Sequence, residues 1–379
     1  MDKTVIVQAF EHHFSQHAEV FSHAPGRVNL IGEHTDYNNG FVFPAAINFG
    51  TWVAASKRTD RDCQVVAVDY SNQINTFSLD DINFDHQHSW ANYVRGVVLK
   101  LQTLYTLPNG FNLLVTGNVP QGAGLSSSAS FEIAILRALS ELFALNMSGV
   151  QAAQIGQLAE NEFVGCACGI MDQLISALGK QNHAMLLDCQ SLTFRHSTIP
   201  TNLQLMIINS NVKRGLVDSE YNLRREQCEE AAKLLGVVSL REANLDLLMS
   251  RRQQLPPVVY RRALHVITEN TRTEQVFEAL QKNDMPTVSH AMAASHKSMR
   301  EDFEITVPPI DFLVELISDF IGEEGGVRMT GGGFGGSVVA LVDQQITDAL
   351  KALIHQEYHP NTGYYADIYV CTASQGAFA

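Results

Sequence analysis

Between a run that reads as a strand, Phe111-Asn112-Leu113-Leu114-Val115-Thr116, and a strongly apolar run from Ser130 to Leu145 stands the string Pro120-Gln121-Gly122-Ala123-Gly124-Leu125-Ser126-Ser127-Ser128-Ala129. Glycine lets the backbone approach a ligand closely and adopt positive φ. Serines at a helix start supply hydroxyls and unpaired amide N–H groups, where the helix dipole favours an anion. Strand, glycine turn and buried helix in that order predict a turn that cradles a triphosphate. It is not a Walker loop, because no lysine follows the final glycine. Gly122, Gly124 and Ser127 mimic the dinucleotide fingerprint, but another helix follows the first with no prompt return to a parallel strand. A serine-capped helix after a glycine turn is the reading that carries no function.

The flanking pattern sets the fold class. Phe41 to Ile47, Thr51 to Ala55 and Gln64 to Val68 read as short strands. The run from Ser130 to Leu145 is apolar nearly all round, interrupted by Glu132, Arg137 and Glu141, and predicts a largely buried helix. Further helices are predicted over Gly149 to Phe163 and Ile170 to Leu178, the second capped by Gly179. Leu203 to Asn209 predicts a strand that opens a second lobe, and helical segments fill most of Ser219 to Arg300. Ser337 to Val342 and Ala366 to Cys371 close the chain as strands. The mix lacks a regular βαβ beat, which favours α+β over a doubly wound sheet. Two lobes are expected, 1–190 and 191–379.

Composition narrows the function. Of 379 residues, 45% are hydrophobic and 17% charged, enough for a sizeable core and against disorder. A net charge of −14 argues against nucleic acid as a partner, since phosphate backbones need basic patches. No run reaches the ~18 apolar residues of a membrane span. The start, Met1-Asp2-Lys3-Thr4, does not read as a signal peptide, so a cytoplasmic protein is expected. Cys166 and Cys168, a single residue apart, lack the paired spacing of a zinc site.

Upstream, Pro25-Gly26-Arg27-Val28-Asn29-Leu30-Ile31-Gly32-Glu33-His34-Thr35-Asp36-Tyr37-Asn38 crowds Arg27, Glu33, His34 and Asp36 among apolar neighbours. A solvated turn is the plain reading. The functional one is a polar cradle for a small polyhydroxylated ligand, whose hydroxyls donate to carboxylates and imidazole.

The glycine–serine string resembles the phosphate loop of the GHMP kinases, which cradles ATP without a P-loop lysine. Gly26 to Asn38 resembles the signature of the galactokinase family within them. The resemblance runs from Ala24 to about Gly376 and implies the GHMP fold: a mixed-sheet N-terminal lobe, an antiparallel-sheet and helix C-terminal lobe, and an active site in the cleft between. It implies that Glu33, His34, Thr35 and Asp36 face the sugar, with Arg27 between sugar and transferred phosphoryl group. Gly122, Ala123, Gly124, Leu125, Ser126, Ser127 and Ser128 would hold ATP.

Cys168-Gly169-Ile170-Met171-Asp172-Gln173 resembles the family motif whose Asp accepts the proton, which points to Asp172. A helix N-cap is its plain reading. A neighbouring cation such as Arg27 would keep it ionised; whether it takes the proton early or mainly stabilises charge is left open. By the same likeness Glu160 and Ser128 would bind Mg²⁺, an oxygen pair that leaves positions for phosphate and water. Glu162 would point elsewhere. Met329-Thr330-Gly331-Gly332-Gly333-Phe334-Gly335-Gly336 resembles the third GHMP motif, with Ser337 where relatives often carry Cys. Tyr221 matches a tyrosine that reaches the sugar, and Trp90 an aromatic near the adenine.

The implied reaction is α-D-galactose plus ATP giving galactose 1-phosphate and ADP, by a monomer or weak homo-oligomer. Two alternatives stand beside it: a kinase for a related amino sugar, and a non-catalytic galactose sensor of the same fold. The intact Gly124-Leu125-Ser126-Ser127-Ser128-Ala129 and the presence of Asp172 count against a sensor.

Overall fold

The structure is a computed structural model and describes residues 3–120, 122–212 and 217–379, the side chains of 217 and 218 excepted. Gln121, part of the glycine–serine string, lies outside the described residues.

The chain opens with α1 (Lys3–Phe14), then β1 (Val20–Asn29), β2 (Phe41–Val42), β3 (Pro44–Lys57), β4 (Asp62–Ala67) and β5 (Gln73–Ser78). Next come α2 (Ala91–Leu101), β6 (Phe111–Gly117), α3 (Ser127–Leu142), α4 (Gly149–Ala159) and α5 (Met171–Leu178). A hairpin follows, β7 (His183–Asp188) and β8 (Phe194–Thr198), then β9 (Leu203–Asn209). Helices α6 (Val217–Leu235), α7 (Leu245–Ser250), α8 (Pro257–Gln281), α9 (Met285–Glu301) and α10 (Pro308–Ile321) lead to β10 (Gly326–Thr330). The chain closes with β11 (Ser337–Asp343), α11 (Thr347–Thr362) and β12 (Asp367–Cys371).

The first sheet has the order β1-β3-β6-β4-β5, antiparallel except where β4 runs parallel to β6. The second, β10-β11-β9-β12, is antiparallel throughout, and β2-β7-β8 forms a small third sheet. Strands and helices mix without doubly wound order, as the α+β reading expects. We propose the division into lobes at the β7–β8 hairpin, where residue 190 lies.

The apolar helix after the phosphate string is α3. Its Ile133, Leu136 and Leu139 are fully buried against the first sheet, each contributing about 1.5–3 kcal/mol by leaving water. That anchors the loop at its N-terminus. A capping box starts α4: the Ser148 hydroxyl accepts from the Gln151 N–H while the Gln151 side chain accepts from the Ser148 N–H.

Several local expectations change. Phe41–Ile47 is divided between β2 and β3, and Thr51–Ala55 is no strand of its own: Pro44–Lys57 runs through as β3, its buried interior broken at Asn48 and Phe49. The register shift between Pro25 and Arg27 falls at this break: Ile47, Asn48 and Phe49 of β3 lie opposite the single residue Gly26 of β1. The helix expected to end at Phe163 finishes as a π turn over Glu160–Val164, stopped by Gly165 at φ 92°. Gly179 does cap α5, but at φ −55°; its need is space, since a Cβ there would stand 2.6 Å from the Ala46 Cβ. Among the described residues no helix is long and apolar enough to cross a membrane.

Candidate active site

Arg27 on β1 and Asp172 on α5 meet at the centre of the cleft. Arg27 Nε donates to Asp172 Oδ1 and Nη2 to Oδ2, both at 2.7 Å, a two-pronged ion pair. Burial alone would lower the Arg27 pKa; the Asp172 carboxylate outweighs it and raises it. The remaining Nη1 donates to the Gly124 carbonyl at 2.6 Å, and the Arg27 N–H donates to the Leu125 carbonyl at 3.1 Å. One arginine thus ties Asp172 to the glycine–serine loop. Asp172 is not an N-cap: Ile170 holds that place and Asp172 sits in the first turn of α5.

The loop serines divide their work. Ser126, in the left-handed region at φ 57°, gives its hydroxyl to Asp172 Oδ2 rather than capping α3. Ser127 and Ser128 line two adjoining cavities, of ≈ 550 and ≈ 500 Å³. Gly122, Gly124 and Leu125 line the larger one. Ala123 does not: it is fully buried, and its carbonyl accepts from Ser337 Oγ at 2.7 Å. That bond gives Ser337 a purpose, staking the phosphate loop to β11.

Around the ion pair, the larger cavity is lined by Glu33, His34, Asp36 and Tyr221, with Gly331 and Gly332 of the third glycine string at its edge. His34 sits at φ 61°; its Nδ1 pairs with the Tyr37 hydroxyl at 2.8 Å, while its buried Nε2 has no partner. Burial, with His265 and Arg224 nearby, holds its pKa down to about 3, so the ring is neutral. Burial, then the Asp172 charge, pushes Asp36 up to about 6. Burial pushes Glu33 up to about 7, against the pull of Arg328 and Arg27. Tyr221 packs on His34 with ring centroids 5.1 Å apart. Thr35 is the exception. Its fully buried hydroxyl donates to the Gly32 and Phe41 carbonyls at 2.9 and 2.6 Å, so it shapes the loop and does not reach the cavity.

The smaller cavity is lined by Trp90, Tyr70, Phe84, Asn92, Tyr93 and Phe131. Trp90 Nε1 donates to Gln73 Oε1 at 2.8 Å, and its ring stacks on Tyr70. An apolar, aromatic slot joined through Ser127 and Ser128 to a polar cleft has the sequence of parts a nucleotide needs: base, phosphates, acceptor.

Glu160 lies at the base of the phosphate loop, buried and beside Ser128. Burial and the Asp172 charge raise its pKa, opposed by hydrogen bonds from Ser128, Cys168 and Gln173. Glu162 points away and pairs with Lys100. A carboxylate and a hydroxyl facing a phosphate loop fit Mg²⁺, which keeps most of its positions for phosphate and water.

Three buried residues escaped the sequence reading. Arg328 on β10, with no exposed surface, donates to Glu33 and to the carbonyls of Asn29 and Leu30 at 3.0 and 3.2 Å. Glu269 on α8 holds the same loop. Glu132, read as a break in an apolar helix, shares one Gln173 amide with Glu160, at 3.1 and 2.8 Å. Only the charge of Glu132 within an apolar run hinted at a role.

Known proteins match along the whole chain. The galactokinase galactose-binding signature matches residues 8–57, the GHMP kinases N terminal domain residues 92–180, and the GHMP kinases C terminal domain residues 276–359. The galactokinase of Lactococcus lactis, solved in complex with galactose, is 33% identical, with 98% of each chain covered and a TM-score of 0.93. The mevalonate kinase of Methanococcus jannaschii shares the fold at 17% identity and TM-score 0.63, over 94% of this chain and 98% of that one. A homoserine kinase from Cytophaga hutchinsonii does so at 16% and 0.60, over 94% and 96%. With Arg27, Asp172 and the glycine–serine loop gathered in one cleft, and likeness over nearly its full length, this chain belongs to the galactokinase family of the GHMP kinases.

Proposed function

We propose that this protein transfers the γ-phosphoryl group of ATP to the 1-hydroxyl of α-D-galactose, giving galactose 1-phosphate and ADP. The observation that carries the reading is the Arg27–Asp172 pair, set between a phosphate loop and a cradle of Glu33, His34 and Asp36. Asp172 receives the proton of the sugar hydroxyl as its oxygen bonds to the γ-phosphorus and the bond to the β-phosphate oxygen breaks. Arg27 lies beside the same point and offsets the charge spread over the transferring group. Loop N–H groups and the α3 N-terminus hold the phosphates, while Trp90 and Tyr70 flank the base. His34 Nε2, on a neutral ring, pairs with a sugar hydroxyl as donor or acceptor according to its tautomer, while Glu33 and Asp36 accept from neighbouring hydroxyls; Tyr221 closes over them.

Ser128 and Glu160 would hold Mg²⁺, which neutralises phosphate charge when bound. The protein works on MgATP in the cytoplasm, as a monomer or weak homo-oligomer. Mixing it with MgATP and galactose, glucose, N-acetylgalactosamine or mevalonate, and following ADP release, tests the assignment. Turnover should be confined to galactose and close analogues; turnover favouring another acceptor, or none, would overturn it.

Two further outcomes follow. Carboxylates accept from sugar hydroxyls more strongly than neutral carboxyls do, and Glu33 and Asp36 take up protons near about 7 and about 6. The galactose KM should therefore rise as pH falls from about 8 to about 5.5, in initial-rate measurements at saturating MgATP. Gly169 is the second site. A Cβ there would stand 2.0 Å from Asp36 Oδ2, so Gly169→Ala must displace that carboxylate. Calorimetry should show galactose affinity weakened by about tenfold or more.

A further inference from the structure

We propose that Glu269, on the C-terminal helix α8, is a positioning residue for galactose: it holds the backbone of Gly32 and Glu33 so that Glu33 and His34 meet the sugar. The inference rests on the reading of residues 33–36 as sugar-facing.

Glu269 is fully buried and far away in the chain. Its Oε1 accepts from the Gly32 N–H at 3.1 Å, the Glu33 N–H at 3.3 Å and Ser295 Oγ at 2.7 Å. Its Oε2 accepts from Arg272 Nε at 2.7 Å. A buried carboxylate is costly unless its lone pairs are filled, and here four donors fill them. Burial would raise the Glu269 pKa; Arg272, His265 and Arg328 reverse that and hold it down to about 2. The acceptor is therefore charged across the working pH range.

The loop needs such a hold. Gly32 lies at φ 93° and His34 at φ 61°, the left-handed region that is uncommon for any residue with a Cβ and that persists when its surroundings over-determine it. Two consecutive N–H groups converging on one oxygen do that. The same stripe of α8 continues the contact. His265 Nε2 donates to the Glu33 carbonyl at 3.1 Å, and Asn270 Oδ1 accepts from the Phe41 N–H at 2.8 Å. Thr273 sits so close beneath Gly32 that its Oγ1 would lie 3.1 Å from an added Cβ. Residues 265, 269 and 273 fall on one helix face by their spacing. Neither cavity is lined by His265, Glu269, Asn270 or Thr273, so this face acts on the sugar loop and on nothing the nucleotide touches.

Glu269→Gln keeps the size but turns an amide toward the loop N–H groups. The galactose KM, and the galactose Kd by calorimetry, should rise about tenfold, with kcat at saturating galactose within about threefold and the MgATP KM within about twofold. Ser295→Ala removes one donor to the same oxygen and leaves the carboxylate. It should raise the galactose KM about twofold to threefold, and it carries the test if Glu269→Gln does not fold. Galactose constants unmoved in the folded variants, or galactose and MgATP constants moving together, would overturn the positioning role. Wild-type protein that forms no sugar phosphate from MgATP and galactose would instead overturn the kinase reading beneath it.

Discussion

Replacing Asp172 by Asn should lower kcat about 10³-fold, with galactose and MgATP affinities within about threefold of the wild type. The amide keeps the shape and can still accept from one Arg27 N–H, so binding survives. It cannot take the proton of the acceptor hydroxyl. The change also leaves Arg27, whose side chain is only 8% exposed, without its counter-charge. Combining Arg27→Met with Asp172→Asn should therefore add little further loss of kcat, because the two groups act as one unit. Initial rates with calorimetry for each ligand check both points. Near-normal kcat in Asp172→Asn would remove the base from the mechanism.

Arg328→Met should destabilise the fold by about 3–5 kcal/mol in urea unfolding, although Arg328 does not line either cavity. The arginine is wholly enclosed, and its loss strands the Glu33 carboxylate and two loop carbonyls. The sign of the pH dependence follows from Glu33. Its pKa is raised on folding, from 4.5 to about 7, so the folded state binds the proton more tightly. Its contribution to stability is therefore greatest at low pH and is lost as pH climbs through about 7. Without Arg328 the carboxyl shifts further up, and the deficit should be larger at about pH 8 than at about pH 6. A loss below about 1 kcal/mol, or a deficit that grows toward acid, would show that the pair does not hold the loop.

Much of the cleft was legible because its parts are local strings. Gly122 to Ser128 needs only its own residues and the helix behind it to make the turn that borders both cavities. The 33–36 string announces itself by charge among apolar neighbours. Family likeness preferred Asp172 to a plain cap and Glu160 to Glu162; the structure sets Asp172 against Arg27 and Glu162 against Lys100. What the strings hide is the far side of each bond. Arg328 lies 295 positions from Glu33 and Glu269 lies 237 from Gly32, and nothing in either neighbourhood marks a partner. Thr35 shows the converse: it stands inside the sugar string, yet its hydroxyl is consumed by its own turn. Ser126 looks like a cap and instead bonds the acid, because its backbone is left-handed and turns the side chain toward α5. The fold was read with the same strengths. The buried helix α3 and strand β9 follow from apolar runs, whereas the continuity of β3 through Asn48 and Phe49 depends on the strands beside it.

The most direct test of the central claim is the product itself. Wild-type protein, MgATP and galactose can be followed by phosphorus NMR with proton coupling. The account predicts one new phosphomonoester, on the anomeric oxygen in the α configuration, growing in step with ADP. Phosphate on any other hydroxyl, or ADP and free phosphate with no sugar ester, would contradict it.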